Sequence, residues 1–257
     1  MAKLKLENFY TGYKNKSIIK NINFSIDSSE WLGVIGPNGS GKSTLIKGIL
    51  GITKSLKGNI YLKNKDIKNF TNKRIAQTVS FLPQQLNSNL NITVEDLVAL
   101  GRSPYKEFWE FDLNKTDIEI INESLHLVDM YDLKDNLINQ ISGGQCQRAY
   151  LAMALAQDPE ILILDEPTNA LDLKYQIKFL EIIKTLKVNK KISVITILHD
   201  LNLAARYSDK IIALKNGESI AYGSSNEIIN ERFIQNIFEI NALISDTPYG
   251  KQIYPID

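Results

Sequence analysis

The stretch GPNGSGKST, from Gly36 to Thr44, carries the residue types that a chain needs to hold phosphate groups. It matches the pattern G-x-x-x-x-G-K-[S/T] and lies between a strand-like run, WLGVI, and a helix-like run, STLIKGILG. Glycines let backbone N–H groups surround phosphate oxygens, Lys42 would reach the outer phosphates, and the Ser43 hydroxyl would bind Mg²⁺. A chance glycine-rich turn is the alternative, and the order of strand, loop and helix argues against it. The predicted phosphate site consists of Gly36, Pro37, Asn38, Gly39, Ser40, Gly41, Lys42, Ser43 and Thr44.

Two carboxylates follow a second apolar run, ILIL at 161–164. Ligands of open α/β sheets gather at the edge where parallel strands end. At such an edge Asp165 would hold Mg²⁺, usually through water, and Glu166 would polarise the water that attacks a γ-phosphate. An acidic pair after a strand is often only a turn, but the phosphate loop in the same chain favours the catalytic interpretation.

Two more polar residues follow apolar runs. His199 comes after SVITIL (193–198), and Gln84 follows VSFL (79–82) in the segment FLPQQ. Alone, His199 would be interpreted as a core histidine and Gln84 equally well as a polar loop residue. If their strands neighbour the phosphate loop, His199 would contact the γ-phosphate and Gln84 would contact Mg²⁺ or water.

The segment ISGGQCQRAY (141–150) predicts a second turn that binds an anion. Its Ser and two glycines stand at the head of a predicted helix, where backbone N–H groups have no intrahelical partner and the helix dipole is positive. The sequence therefore predicts two phosphate-binding turns that lie far apart along one chain.

The elements that must position these residues are those of an α/β protein. Continuously apolar runs at 31–35, 79–82, 161–164, 193–198 and 211–214 predict parallel strands that are buried on both faces. Helix-like segments follow several of them, as βα units require. LKLENF near the start and KGNIYLK (57–63) predict antiparallel edge strands, with Gly58-Asn59 as a turn.

Between Gln84 and about Gln157 the pattern predicts helices inserted into the α/β core, with no strand. One helix is predicted from apolar residues at helical spacing, with Asn114 or Thr116 as its cap; these residues are Ile118, Ile121, Leu125 and Val128. A second, Ala-rich helix is predicted from Gly143 to Gln157. The C-terminal part has a helical stretch, NEIINERFIQNIFEI, and a tail in which a closing strand or a dimer contact is conceivable. The predicted divisions are 1–84, 85–157, 158–225 and 226–257.

Composition restricts the classes of partner. The 257 residues are 44% hydrophobic and 23% charged, enough for a large core, and Lys+Arg 30 against Asp+Glu 29 gives no overall field for nucleic acid. The single cysteine, Cys146, excludes an internal disulfide and is predicted to be a buried hydrophobe rather than a nucleophile. No signal peptide and no apolar run near the ~20 residues of a bilayer span are present, which predicts a cytoplasmic location.

In order, the motifs GPNGSGKST, PQ, ISGGQ, ILILDEPTNALD and ILHD resemble the nucleotide-binding subunit of an ATP-binding cassette (ABC) transporter. The resemblance covers nearly the whole chain, and the Ser-Gly-Gly-Gln signature is its discriminating part because many NTPases share the phosphate loop. It implies an α/β P-loop NTPase (ABC cassette) core, with an antiparallel β edge subdomain and an inserted α-helical subdomain. It also implies ATP and Mg²⁺ as ligands.

The resemblance explains the second phosphate-binding turn. In this family two cassettes pack head to tail, and the signature of one closes over the γ-phosphate that the other holds. The match implies that four residues contact ATP in trans, which are Ser142, Gly143, Gly144 and Gln145.

Other roles are implied position by position. Gln84 would join the core to the helical subdomain, Asp172 would communicate across the dimer, and His199 would be the switch histidine. Tyr13 stands where the family places an aromatic residue against adenine, and Tyr10 is the second candidate. The departures, Ile141 for Leu and Asn169 for the commoner Ser, remove no ligand.

The segments ITVEDLVALGRSPYKEFW (92–109) and TILHDLNLAARYSDKIIAL are similar to cassettes that drive ferric-siderophore uptake, with cobalamin and haem systems close by. The resemblance implies a separate transmembrane permease as partner, an indirect partner in a substrate-binding protein, and a peripheral place on the cytoplasmic face of the membrane. The permease contact is expected near Gln84 and 85–110, where Phe108, Trp109 and Phe111 would take part or else pack in the helical core.

Three alternatives remain. A soluble ABC protein of translation or DNA repair usually has two cassettes or a long coiled-coil insertion, and 257 residues leave room for neither. A purely ATP-sensing module is disfavoured by Glu166 and His199. An exporter cassette is possible, although the GRSPY region favours import.

Overall fold

The computed structural model describes residues 2–14, 16–107, 112–169 and 171–256. The chain divides into two compact units, of which unit 1 comprises Met1–Asn69 and Ser193–Asp257 and unit 2 comprises Phe70–Ile192. The predicted divisions at 84, 157 and 225 do not coincide with these units and stay a prediction.

Regular elements in the described residues follow in chain order. The strands are β1 (Leu4–Tyr13), β2 (Lys16–Ile26), β3 (Trp31–Ile35), β4 (Lys54–Leu62), β5 (Lys65–Asp66), β6 (Val79–Leu82), β7 (Ile161–Asp165), β8 (Ser193–Ile197), β9 (Lys210–Lys215), β10 (Glu218–Ser224), β11 (Ala242–Thr247) and β12 (Gly250–Pro255). The α-helices are α1 (Lys42–Ile49), α2 (Asn72–Ala76), α3 (Val94–Ala99), α4 (Lys115–Leu127), α5 (Gly143–Ala156), α6 (Leu173–Asn189), α7 (Leu201–Tyr207), α8 (Ser225–Ile228) and α9 (Glu231–Phe238).

Unit 1 contains three of the parallel strands that the apolar runs predict, which are β3, β8 and β9. β3 lies between β8 and β9 and is parallel to both, while β10 pairs antiparallel with β9. Every residue of β3 and β8 is buried, because strands of this kind are covered on both faces. The indole Nε1 of Trp31 donates to Thr196 Oγ1 at 2.7 Å, which pairs its only polar atom inside the core.

The antiparallel edge sheet of unit 1 has the order β2-β1-β4-β5. The predicted turn at Gly58-Asn59 is wrong, since both residues lie inside β4. Gly58 faces an irregularity in β1, where an added Cβ would lie 2.0 Å from the Asn8 carbonyl oxygen, so the glycine permits a close strand approach. The turn is at Lys63 and Asn64, both with positive φ, which is the geometry of a tight two-residue hairpin.

In the C-terminal part of unit 1, α9 and a hairpin share one apolar cluster with residues of β3 and β9, among them Ile35, Ile211 and Ala213. Asn230 caps α9 by accepting from Phe233 N at 2.9 Å, and it thereby divides the predicted helical stretch into α8 and α9. The tail, for which the sequence suggested a strand, forms the β11–β12 hairpin. Asn202 of α7 holds that hairpin by exchanging two hydrogen bonds with the backbone of Ile253.

Unit 2 pairs β6 with β7 in parallel and contains helices α2 to α6. The predicted helical insertion is confirmed, because the described residues of 84–157 contain no strand beyond one isolated bridge, Thr93 to Leu137. Asn114, rather than Thr116, caps α4 in a capping box with Asp117. Ile121 and Leu125 are buried, whereas Ile118 at the margin of the apolar face is half-exposed.

Within the described residues, no helix is long and apolar enough to cross a membrane.

Candidate functional site

The phosphate loop lies in unit 1, between the end of β3 and the start of α1. Gly36, Gly39 and Gly41 have φ of 148°, 77° and 102°, values that L side chains rarely adopt. A Cβ on Gly36 would lie 2.2 Å from the Leu214 carbonyl oxygen, and one on Gly41 would lie 2.6 Å from Ile19 Cδ1. The glycines are therefore required by the path of the backbone, and Asn38 and Gly39 are exposed at the tip of the loop.

Lys42, the first residue of α1, turns back over the loop. Its Nζ donates to the carbonyl oxygens of Gly36 at 2.9 Å and Pro37 at 3.1 Å, and only 6% of the residue is exposed. A buried ammonium group held among loop carbonyls provides the positive charge that phosphate oxygens need. Ser43 and Thr44 follow in the first turn of the same helix.

Two further observations concern Ser40 in the middle of this loop. Ser40 Oγ is buried and has no hydrogen-bond partner, although a buried hydroxyl normally has one. The loop is also supported from outside by the Asn216-Gly217 turn, whose Gly217 N donates to Ser40 O at 3.0 Å. Sequence reasoning missed this support, and the signal was an Asn-Gly pair between two apolar runs.

The other candidates in unit 1 occupy the ends of strands. β3 and β8 are register partners at Val34 and Ile197, so the phosphate loop and His199 follow neighbouring parallel strands at the same edge. His199 is exposed, and the next residue, Asp200, caps α7. The interpretation of His199 as a core residue is therefore wrong.

Tyr13 is the better placed of the two tyrosines for stacking on a base. It ends β1 with 48% of its surface exposed. Tyr10 lies further inside the same strand, and Lys57 Nζ is 5.4 Å from the centroid of its ring. Lys57 therefore already covers Tyr10, whereas Tyr13 presents an open ring.

In unit 2 the structure brings Gln84 and Glu166 together. Asp165 ends β7 and is buried, and Glu166 follows with a φ of 51°, in the left-handed region. Glu166 Oε2 accepts from Gln84 Nε2, and it also accepts from Asn169 Nδ2 at 2.5 Å. The contact with Gln84 was expected only indirectly, through water or metal, and the contact with Asn169 was not expected.

The signature residues form the first turn of α5. Ser142 Oγ accepts from Gln145 N at 3.3 Å, and Gln145 Oε1 accepts from Ser142 N at 2.8 Å, a reciprocal capping box. The box uses two of the four amides at the helix start, and those of Gly143 and Gly144 have no acceptor within the helix. A Cβ on Gly143 would meet nothing within 4 Å, so an anion can approach these amides closely.

Asp172 and Cys146 have structural roles. Asp172 caps α6 by accepting from Tyr175 N at 3.1 Å. This cap gives Asp172 a structural role within a single chain. Cys146 is buried as predicted, and burial raises the pKa of its thiol. Phe108, Trp109 and Phe111 lie outside the described residues.

The GRSPY segment forms a buried ionic cluster that sequence reasoning did not identify. Arg102 Nε donates to Asp117 Oδ1 at 2.9 Å, and Lys106 Nζ lies 2.6 Å from Asp117 Oδ2. Arg102 also donates to the Ala156 carbonyl oxygen at 2.7 Å, at the end of α5. The cluster fastens the last turn of the signature helix to the first turn of α4.

A sequence model of the family described as ABC transporter matches residues 19–169, which is more than half of the chain. The fold and the motifs of both units agree with that match, and the chain therefore belongs to the ABC transporter family, as an ATP-binding subunit that hydrolyses ATP.

Relatives of the same length support this assignment. The chain is 41% identical over 244 residues to an uncharacterized ABC transporter ATP-binding protein, MJ0089, of Methanocaldococcus jannaschii, covering 95% of this chain and 94% of that protein. It is 38% identical to the iron(3+)-hydroxamate import ATP-binding protein FhuC of Bacillus subtilis, covering 96% and 92% of the two chains.

Solved structures agree with the cassette fold. A chain of an inward-facing ABC transporter assigned to the metal-chelate type superimposes with a TM-score of 0.87 at 25% identity, covering 100% of this chain and 98% of the other. The ATP-binding cassette MJ0796, solved as a dimer with ADP and Pi, gives a TM-score of 0.72 at 29% identity, covering 86% and 98%. The predicted α/β cassette is confirmed.

Proposed function

We propose that this protein is the ATP-hydrolysing subunit of an importer for iron(III)-siderophores, working on the cytoplasmic face of the membrane with a separate permease. The observation that carries the proposal is the overall likeness, along nearly its full length, to an iron(3+)-hydroxamate import ATP-binding protein. The catalytic part rests on Glu166, which stands at the end of β7 with its carboxylate fixed by two amide donors.

ATP would be held by the phosphate loop, Gly36 to Thr44, with Tyr13 against the adenine. The left-handed glycines and the unpartnered Ser40 hydroxyl fit this use, because both suit a loop that wraps an anion. Lys42 Nζ would exchange its two loop carbonyls for phosphate oxygens, a stronger charge-assisted contact.

Mg²⁺ would be held by Ser43, Gln84 and Asp165, together with phosphate oxygens and water. These residues offer hydroxyl, amide and carboxylate oxygens, the hard ligands that Mg²⁺ prefers. Since Gln84 gives its Nε2 to Glu166, its Oε1 is the atom suited to a cation. When bound, Mg²⁺ neutralises charge on the phosphates.

Glu166 would act as the general base. It accepts one proton from the water whose oxygen bonds to the γ-phosphorus, while the bond to the bridging oxygen breaks and its electron pair stays on ADP. His199, exposed at the strand edge that carries the phosphate loop, would contact the γ-phosphate. Gln84 would orient the same water through its contact with Glu166.

A second copy of the chain would complete each site. The amides of Gly143 and Gly144 and the side chains of Ser142 and Gln145 would close over the γ-phosphate of the partner, and Asp172 would lie at the contact. The γ-phosphate would then favour the closed dimer, since it makes contacts there that an open pair lacks. Hydrolysis would remove those contacts and let the two copies part.

The permease would bind near Gln84 and 85–110, where Phe108, Trp109 and Phe111 would take part or else pack in the helical core. The binding protein would act only through the permease, and nucleic acid would have no part. Uptake of haem, cobalamin or another metal chelate is the second candidate, because the metal-chelate type of the structural relative covers a wider class than siderophores. A soluble, non-transport ATPase is the third.

Glu166→Gln tests the catalytic assignment. Steady-state phosphate release should fall at least about 100-fold, the size of a general-base contribution, because an amide cannot take the proton. An ATP-dependent dimer should persist in light scattering. Glu119→Gln, the same change at an exposed position of α4, is the matched control and should release phosphate at the wild-type rate. If Glu166→Gln released phosphate at the wild-type rate, the assignment of Glu166 as the general base would be refuted.

A further inference from the structure

Glu166 has a backbone conformation that its own residue type disfavours. Its φ of 51° lies in the left-handed region, which non-glycine residues adopt uncommonly and which Asn and Asp tolerate better than Glu. Asn169 N donates to the Glu166 carbonyl oxygen at 3.4 Å, which closes a short turn directly after β7. The carboxylate is thus presented from a bent segment rather than from a regular strand.

The side chain of Asn169 reaches back to the carboxylate of Glu166. Asn169 Nδ2 lies 2.5 Å from Oε2, the same oxygen that accepts from Gln84 Nε2. An amide nitrogen can only donate, so Oε2 of Glu166 is the acceptor in both contacts. Two donors on one oxygen restrict rotation of the carboxylate about its last bond.

Asn169 and Gln84 are both exposed, but residues on either side of Asn169 are bound to a helix, whereas Gln84 lies in a loop after β6. The turn that contains Asn169 is bound to α6 by Gln176, whose Nε2 donates to Thr168 O at 3.2 Å and to Leu171 O at 2.9 Å. Gln84 also has a second proposed task as a metal ligand. Asn169 is therefore the donor suited to hold Glu166 throughout the cycle.

We propose that Asn169 is a positioning residue for hydrolysis, holding the Glu166 carboxylate in the orientation in which it receives the proton of the attacking water. This inference rests on the proposed role of Glu166 as the base. Asn169 contacts no reacting atom and acts through Glu166 alone. Its loss should change the rate of the chemical step and leave the binding of ATP unchanged.

The direct test is Asn169→Asp, which keeps the size of the side chain and replaces the donor by an oxygen that repels the carboxylate. We expect kcat to fall about 10-fold to 100-fold, the effect of a misplaced catalytic group, with the KM for ATP within about twofold of wild type. Asn169→Ser keeps a donor on a shorter side chain, and its kcat should lie between those of Asn169→Asp and wild type. Asn189→Asp adds the same charge at an exposed end of α6 and should match wild type.

Asn169→Ala serves where Asn169→Asp does not fold, and it should lower kcat without raising KM. Wild-type kcat in the Asp or Ala variant would overturn the inference. A parallel loss of thermal stability and of ATP affinity would overturn it as well, since that pattern indicates a merely structural turn. If Glu166→Gln is inactive while Asn169→Asp is normal, only this inference fails. If Glu166→Gln hydrolyses ATP normally, the proposed base itself fails.

Discussion

At the scale of residues, the phosphate loop shows how backbone conformation decides which side chains are allowed. Gly36 combines a φ of 148° with a site where a Cβ would lie 2.2 Å from a carbonyl oxygen of β9. Lys42 then binds the carbonyl oxygens of Gly36 and Pro37. A change at Gly36 therefore displaces both the loop backbone and the ammonium group that would bind phosphate.

Gly36→Ala should abolish measurable ATP binding and lower the melting temperature. The clash is with backbone atoms, which cannot rotate away, so the loop must move. Gly51→Ala is the matched control, because Gly51 also has a positive φ, of 72°, but a Cβ there would meet nothing within 4 Å. It should lower the free energy of unfolding by about 1–2 kcal/mol and leave ATP binding intact. Equal ATP affinity in both variants would contradict the steric argument.

Much of the site at this scale follows from sequence. A glycine-rich loop between an apolar run and a helix, and carboxylates after an apolar run, have few structural solutions, and the structure places Gly36 to Thr44 and Asp165 at those strand ends. The contact from Asn169 to Glu166 could not be predicted, because it depends on the left-handed backbone of Glu166. The residue types around Glu166 do not predict a left-handed backbone at this position.

At the scale of elements, the ionic cluster of Arg102, Lys106 and Asp117 joins α4 to the end of the signature helix. Burial alone would raise the pKa of the Asp117 carboxyl, but hydrogen bonds from Lys106 and Arg102 outweigh burial and hold the pKa below its usual value. Asp117 is almost fully buried, so water does not weaken these contacts as it would at the surface.

Asp117→Asn should lower the free energy of unfolding by about 3–5 kcal/mol at neutral pH, because the buried Arg102 and the partly buried Lys106 lose their counter-charge. Since the folded-state pKa of Asp117 is depressed, its contribution is full above about pH 4 and is lost as the pH falls through the folded value. The advantage of wild type over the variant should therefore shrink as the pH is lowered. Urea unfolding at a series of pH values measures this difference in the free energy of unfolding between wild type and Asp117→Asn.

Glu123→Gln is the control for this cluster. Glu123 pairs with Lys190 at the surface, with about half of its side chain exposed, and such pairs contribute about 0–1 kcal/mol. Its removal should scarcely change the free energy of unfolding. A difference between wild type and Asp117→Asn that stayed constant from neutral to acid pH would contradict the assigned ion pair.

The elements were predictable where a single rule governs them. Continuous apolar runs gave β3, β6, β7, β8 and β9, and the Asn114 cap fixed the start of α4. The turn at Gly58-Asn59 was predicted wrongly, because a glycine that relieves a close strand approach has the same composition signal as a turn glycine. The hairpin β11–β12 depends on contacts with Asn202 of α7, far away in sequence.

At the scale of the whole molecule, the amides of Gly143 and Gly144 stand at the start of α5 without an acceptor inside their own helix. The capping box satisfies the other amides of this helix start, so the two glycines keep the anion-binding capacity of the turn. A solved cassette of the family is a dimer, which agrees with a site that needs two copies. The motif could be recognised in the sequence, and we propose that its ligand is the γ-phosphate held by a second copy.

ATP hydrolysis by this chain drives the uptake of ferric siderophores in the function that we propose. The most direct measurement replaces the gene in its own cells by Glu166→Gln and follows the uptake of labelled ferric siderophores, haem and cobalamin in parallel. We expect ferric-siderophore uptake to be lost selectively, while cells that carry Glu119→Gln take up all three normally. If all three cargoes enter the Glu166→Gln cells at the wild-type rate, the assignment to iron uptake is contradicted.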